Sequence, residues 1–191
     1  MTITSGDVLH NPVTGETMLF VKSATETGGE YVLIEVAVEP HGFVAAAHLH
    51  PYQTETFEVL DGEITFTVDG EKIVAKAGDA VVVEPGTAHR FQNTGDTPAR
   101  FRCEIRPALQ FEQLIATMFA LAADGKTNRK GLPNPLRLAV IAKAHFDDVR
   151  LPFPPQWMQR LGLAMGAPAG RLVGYGSTYE PSGQRDVSLA L

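Results

Sequence analysis

The sequence predicts a mainly β domain, closed or sandwich-like, followed by a C-terminal helical extension. Three observations carry this. Residues 1 to about 107 are dense in Val, Ile, Thr and Phe that alternate with period two. Gly, Asp and Pro pairs break that stretch at short intervals, as turns between short strands do. After Pro107 the apolar period lengthens to that of a helix. The expected organisation is therefore a β domain over 1–107 and a helical extension over 108–191, packed on the β domain or on a partner subunit.

Each element has its own local signal. YVLIEVAVEP (31–40) is nearly apolar on both faces, as in a strand covered on both sides. In EITFTVDG, Ile64, Phe66 and Val68 alternate with Glu63, Thr65 and Thr67. Asp61-Gly62 before it and Asp69-Gly70 after it are hairpin signals. AVVVEPGTAHRFQN and ARFRCEIRP supply further strands. Beyond Pro107, the apolar positions 111, 114, 115, 118, 119 and 122 share one helical face, stopped at Gly125. PLRLAVIAKAHF (135–146) reads as a second helix with proline at its start, and PPQWMQRLGLAMG (154–166) as a third. Trp157, Leu161, Ala164 and Met165 would share a face of the third, for packing rather than membrane attachment, because the polar faces are not lysine-rich. The tail beyond Gly176 carries little pattern and is expected to be flexible.

Composition narrows the function classes. With 22 acidic against 16 basic residues the formal charge is −6, and no basic stripe exists to neutralise phosphates, which argues against nucleic acid. No apolar run is long enough for a bilayer and no signal peptide is evident, so a cytoplasmic protein is expected. Cys103, the single cysteine, excludes an intrachain disulfide and reads as a buried, inert thiol.

Chemistry concentrates in HLHPYQTE (48–55). On a strand, residues two apart face the same way, so His48 and His50 would project together. A turn through Pro51 would bring the Glu55 carboxylate alongside them. A further imidazole is available at His89, just after the turn signal Pro85-Gly86. Imidazole nitrogens with a carboxylate suit a divalent Mn, Fe, Ni, Cu or Zn ion. The bland alternative is an edge strand carrying exposed histidines. His10 and His41 sit in or beside turns, and His145 ends a helix where a cationic side chain suits the dipole.

Spacing around these residues resembles the cupin superfamily. Gly42, five residues, His48-Leu49-His50, four residues, Glu55, six residues and Gly62 match the family's first motif in full. Gly78, five residues, Glu84-Pro85-Gly86, two residues, His89, three residues and Asn93 match the second. The one departure is Glu84, where the family usually has proline; Pro85 still sets φ for the turn. The resemblance implies a double-stranded β-helix, a jelly-roll barrel, over about 1–107. It also implies His48, His50, Glu55 and His89 as ligands of one divalent transition metal inside it.

Four ligands on an ion that accepts six leave room for a chelating substrate. The resulting expectation is a metal-dependent oxidoreductase, dioxygenase-like, acting on a small aromatic, enediol or diketone-type molecule. Glu55 would double as proton acceptor. The alternatives are a non-redox isomerase, epimerase or cyclase on the same site, and a module that binds a small ligand without turnover. By alternation Phe57, Val59 and Phe91 point inward, with Phe66 and Phe101 as further pocket residues, while Arg90, Arg100, Arg102 and Arg106 point outward. The helical extension would close one mouth of the barrel or mediate a homodimer. YVLIEVAV offers a second dimer contact.

Overall fold

A computed structural model describes residues 2–181. Nine strands precede three helices: β1 (Val8–Asn11), β2 (Glu16–Lys22), β3 (Val32–Val38), β4 (Thr54–Asp61), β5 (Glu63–Val68), β6 (Glu71–Lys76), β7 (Ala80–Val83), β8 (His89–Gln92), β9 (Ala99–Arg106), α1 (Phe111–Ala123), α2 (Pro135–Ala144) and α3 (Gln156–Leu172). The strands form two antiparallel sheets, ordered β1-β2-β3-β9-β4-β7 and β6-β5-β8. Their facing sides enclose one core, which gives the jelly-roll sandwich that the alternating pattern and the motif resemblance predict.

Alternation sets which side chains fill that core. In β3 the residues Val32, Ile34, Val36 and Val38 are buried, while Leu33, Glu35 and Ala37 are only partly covered. In β9, Phe101, Cys103 and Ile105 face in, and the alternating Arg100 and Arg102 face out, where they pair with Glu35 at 3.2 and 2.7 Å. The aromatic centre draws on both sheets. Phe57 lies 5.0 Å from Phe66 and 5.5 Å from Phe101 between ring centroids, and Phe91 lies 5.0 Å from Phe101, mostly edge to face.

One polar residue is buried at the start of β2. The Thr14 hydroxyl donates to Glu16 Oε2 at 2.6 Å, and burial pushes the Glu16 carboxyl up to about 7 despite that bond.

The two Asp-Gly turns behave differently. Asp69 (φ 49°) and Gly70 (φ 86°) close the β5–β6 hairpin, in which Val68 pairs with Glu71. Left-handed φ at both loop positions is what a two-residue hairpin of this twist needs. Asp61-Gly62 does not close a hairpin. β4 pairs with β7 and β9, β5 with β6 and β8, so the chain crosses from one sheet to the other there. Gly62 is required for a steric reason: φ is 73°, and a methyl group would lie 2.9 Å from the Ala99 Cβ.

α1 divides its buried face. Phe111, Ala116 and Phe119 join the sandwich core, and Leu114 and Leu121 form a second small cluster with Ile141 of α2. Asn134 caps α2 by accepting from Leu136 N at 2.9 Å, with Pro135 following as the sequence suggests. α3 runs past the expected stop at Gly166, through Pro168 to Leu172. The late glycines serve contact with α2 instead of termination: a methyl at Gly170 would lie 2.5 Å from Leu136 O. The opposite face of α3, with Trp157, Leu161 and Met165, is exposed.

In the described part of the tail beyond Gly176, Tyr179 donates to Asp124 Oδ2 at 2.5 Å and its ring lies under Lys126 and Arg137. The remainder of that tail, 182–191, lies outside the described residues. Among the described residues no helix is long and apolar enough to cross a membrane.

Candidate metal centre

Three chain segments build the site. His48 and His50 lie on a short extended segment that Pro51 interrupts. Glu55 then occupies a buried position of β4, in phase with Phe57 and Val59. His89 opens β8 and is hydrogen-bonded to His48 in both directions, His48 N to His89 O at 3.0 Å and His89 N to His48 O at 2.8 Å. The Pro85-Gly86 turn adds a bond from Gly86 N to His50 O at 2.8 Å. These backbone bonds stitch the two motif segments together.

Convergence of the side chains follows. One donor atom from each of His48, His50, Glu55 and His89 lies within 4.8 Å of all the others. His50, Glu55 and His89 are buried, and His48 is partly covered. Each imidazole presents Nδ1 to an acceptor: His48 to Ala46 O at 2.9 Å, His89 to Thr87 O at 3.2 Å, and His50 to Asp148 O at 2.6 Å. A carbonyl oxygen can only accept, so each Nδ1 carries a proton and each Nε2 is turned toward the cluster.

The charge balance of the cluster asks for a cation. Burial alone would raise the Glu55 carboxyl, but His50, His89 and His48 outweigh it and hold it down to about 2. Burial, with the neighbouring His50 and His89, lowers His48 to about 3, so its ring is neutral at physiological pH. For His89 burial pulls downward, yet the Glu55 carboxylate prevails and raises it. His50 Nε2 and Glu55 Oε2 are buried without a hydrogen-bond partner, although they lie 3.5 Å apart. Glu55 Oε2 also stands 2.7 Å from His89 Nε2. A buried imidazole nitrogen and carboxylate oxygen left without a hydrogen bond are destabilising as they stand. A divalent cation held by these four atoms satisfies all of them, and nitrogen with oxygen donors suits Mn, Fe, Ni, Cu or Zn.

The motifs and this geometry have a counterpart in sequence comparison, because residues 34–105 match the family model described as Cupin domain. The chain carries a domain of the cupin superfamily. An uncharacterized protein of Methanocaldococcus jannaschii is 32% identical over 76 residues, 40% of this chain and 61% of that one. Quercetin 2,3-dioxygenase of Bacillus subtilis is 31% identical over 88 residues, 46% of this chain and 23% of that enzyme. The tetracenomycin polyketide synthase protein TcmJ of Streptomyces glaucescens is 27% identical over 118 residues, 62% of this chain and 70% of that one. The chain thus spans less than two thirds of the first two relatives.

The remaining sequence-predicted residues fall around this centre. Phe57 is the aromatic that reaches the ligands, its ring 6.3 Å from that of His89. Phe66, Phe91 and Phe101 pack on Phe57 or on one another behind it, and Val59 is buried in the same core. Cys103 is buried with its pKa pushed well up by burial, which is the inert thiol expected. His10 bonds Thr17 and His41 faces Asp96 at 3.7 Å, both away from the cluster. His145 ends α2 as expected, and its side chain is fully buried against Asp148. Sequence reasoning missed Gln53 and Asp148, the partners of His50 Nδ1. Gln53 could have been noticed as the amide inside the His50–Glu55 turn, whereas nothing in the local pattern marks Asp148.

Proposed function

We propose that this cupin is a metal-dependent oxidoreductase of the dioxygenase type, acting on a small substrate with two neighbouring oxygens, such as a catechol, an enediol or a β-diketone. The observation that carries the reading is the inward convergence of three imidazole nitrogens and one carboxylate oxygen. Such a set fills only part of the coordination shell of an octahedral ion. A redox-active ion held there would supply positions for an oxygen pair and an electron route to dioxygen. His48, His50 and His89 hold it through Nε2, and Glu55 through a carboxylate oxygen. Glu55 is the one carboxylate of the set and would also accept the proton that a substrate hydroxyl gives up on binding. Phe57 forms the apolar wall beside the ligands, with Val59, Phe66, Phe91 and Phe101 behind it, so water is excluded from the buried side and a flat apolar substrate is favoured. The likeness to quercetin 2,3-dioxygenase supports this direction.

A second reading, a non-redox isomerase, epimerase or cyclase, is favoured by the likeness to the polyketide synthase protein, which extends over 62% of this chain. On that reading the same four residues would hold a redox-inert ion, which would supply carbonyl polarisation, and Glu55 would move the proton. The discriminating experiment is elemental analysis of the purified protein, followed by oxygen-uptake assays with catechols, flavonols and β-diketones. Bound iron, manganese, nickel or copper with oxygen consumption is the expected result. Zinc together with no oxygen consumption across the panel would refute the dioxygenase and leave the second reading.

A further inference from the structure

The three histidines are oriented by different means. His48 and His89 each turn Nδ1 to a carbonyl only two residues earlier in their own segment. His50 instead donates to the Asp148 carbonyl across 98 positions, at 2.6 Å, sharing the same N–H with Gln53 Oε1 at 3.0 Å. Both acceptors are themselves held. The Gln53 amide donates to Pro107 O at 2.9 Å and Ala108 O at 3.1 Å, which fixes its oxygen toward His50. The Asp148 carboxylate accepts from Gln110 N at 2.8 Å through Oδ1 and from His145 Nδ1 at 3.1 Å through Oδ2. Asp148 and His145 are 3% and 0% exposed. A two-way backbone bridge then joins Leu49 to Arg150, with both N–H···O distances 2.9 Å.

We propose that Asp148 is a positioning residue of the metal centre, its side chain anchoring the 147–150 backbone on Gln110 and His145 so that its carbonyl sets the ring of His50. The inference rests on the reading of His50 as a metal ligand. Its physical basis is twofold. A buried carboxylate with two donors is a firm anchor, because leaving either donor unpaired is costly. A carbonyl on Nδ1–H fixes the tautomer, aims the Nε2 lone pair and raises its basicity. Gln110, His145, Asp148 and Arg150 all lie beyond residue 105, where the cupin match ends. The helical segment therefore contributes to the metal centre without supplying a ligand.

The test is Co2+ binding to the full-length protein, followed by the ion's visible absorption, in the wild type, Asp148→Ala, Asp148→Asn and Met18→Ala. Met18 is a buried residue of β2, separated from β4 by β3 and β9, and controls for a general loss of stability. Removing an outer partner of a ligating histidine typically weakens affinity about 10- to 100-fold, which is the loss expected for Asp148→Ala, with an altered Co2+ spectrum. Asp148→Asn keeps an oxygen for Gln110 N and should fall between. Met18→Ala should lower the melting temperature and leave the Co2+ affinity and spectrum at wild-type values. Wild-type affinity and spectrum in Asp148→Ala, or an equal affinity loss in Met18→Ala, would overturn the proposal. If Asp148→Ala does not fold, Asp148→Asn decides: wild-type affinity overturns the role, and a loss greater than that of Met18→Ala upholds it. A wild-type protein that takes up no Co2+ would remove the metal site itself, and the positioning role with it.

Discussion

Glu16 makes the stability of this domain depend on pH in a direction opposite to that of most carboxylates. Its carboxyl is pushed from 4.5 to about 7 by burial, with the Thr14 hydroxyl resisting in part. The folded state therefore holds the proton more tightly than the unfolded chain. Below pH 4.5 both states are protonated and the favourable contribution is complete. Between 4.5 and about 7 the unfolded chain ionises first, so stability is lost as pH rises, and above 7 the loss is complete. At 1.36 kcal/mol per pH unit, that interval corresponds to about 3 kcal/mol. Glu16→Gln mimics the protonated acid, keeps an oxygen for Thr14 and cannot ionise. The variant should match the wild type near pH 4.5 and exceed it by about 3 kcal/mol at pH 8. Urea denaturation of both proteins from pH 4.5 to 8 measures this, and other titrating groups cancel in the difference. A stability difference that stays constant with pH would refute the reasoning.

Three other perturbations follow from the same geometry. Gly62→Ala places a methyl 2.9 Å from the Ala99 Cβ at φ 73°, and should cost about 1–3 kcal/mol in denaturant titration. In α3, Gly170→Ala pushes a methyl to 2.5 Å from Leu136 O and should lower the melting temperature, whereas Gly162→Ala meets nothing within 4 Å and should add about 0.5–1 kcal/mol through helix propensity. Opposite signs in thermal melts are the expected outcome, and equal shifts would contradict the α2–α3 contact. Glu55→Gln should abolish turnover more completely than it abolishes metal binding, measured as oxygen uptake against metal content; equal loss of both would leave Glu55 a ligand without a proton-transfer role.

How much of this was legible in the sequence depends on the range of each interaction. Strand alternation is local, so the buried faces of β5 and β9 could be read from the residues themselves, whereas β3, read as covered on both sides, buries one face and only partly covers the other. The four candidate ligands were legible because their spacing encodes turns and strand phase. Asp-Gly was ambiguous: the dipeptide reports a left-handed turn and not which sheet the next strand joins, so Asp69-Gly70 closed a hairpin and Asp61-Gly62 did not. Gly166 bounded the expected third helix, but the space a glycine leaves is filled at Gly166 and Gly170 by α2, more than 25 positions earlier in the chain. Asp148 was invisible for the same reason. Its bond to His50 spans 98 positions and leaves no mark in the spacing of either segment.

That division of range bears on what the family likeness can support. The candidate donor atoms come from residues 48–89, inside the region matched to the cupin domain. The Asp148 and Gln53 contacts that set His50 depend on residues 107–150, beyond that match. Two chains that share all four donors therefore share the atoms an ion meets, and need not share the tilt of His50 or the rigidity of its partner. Those outer contacts tune how strongly a site holds an ion and how its remaining positions are presented. A cupin match accordingly supports a metal centre more directly than it supports a reaction, since one fold carries many chemistries. In this chain the candidate donor set lies inside the sandwich, while the carbonyl that His50 bonds belongs to the segment beyond the matched region.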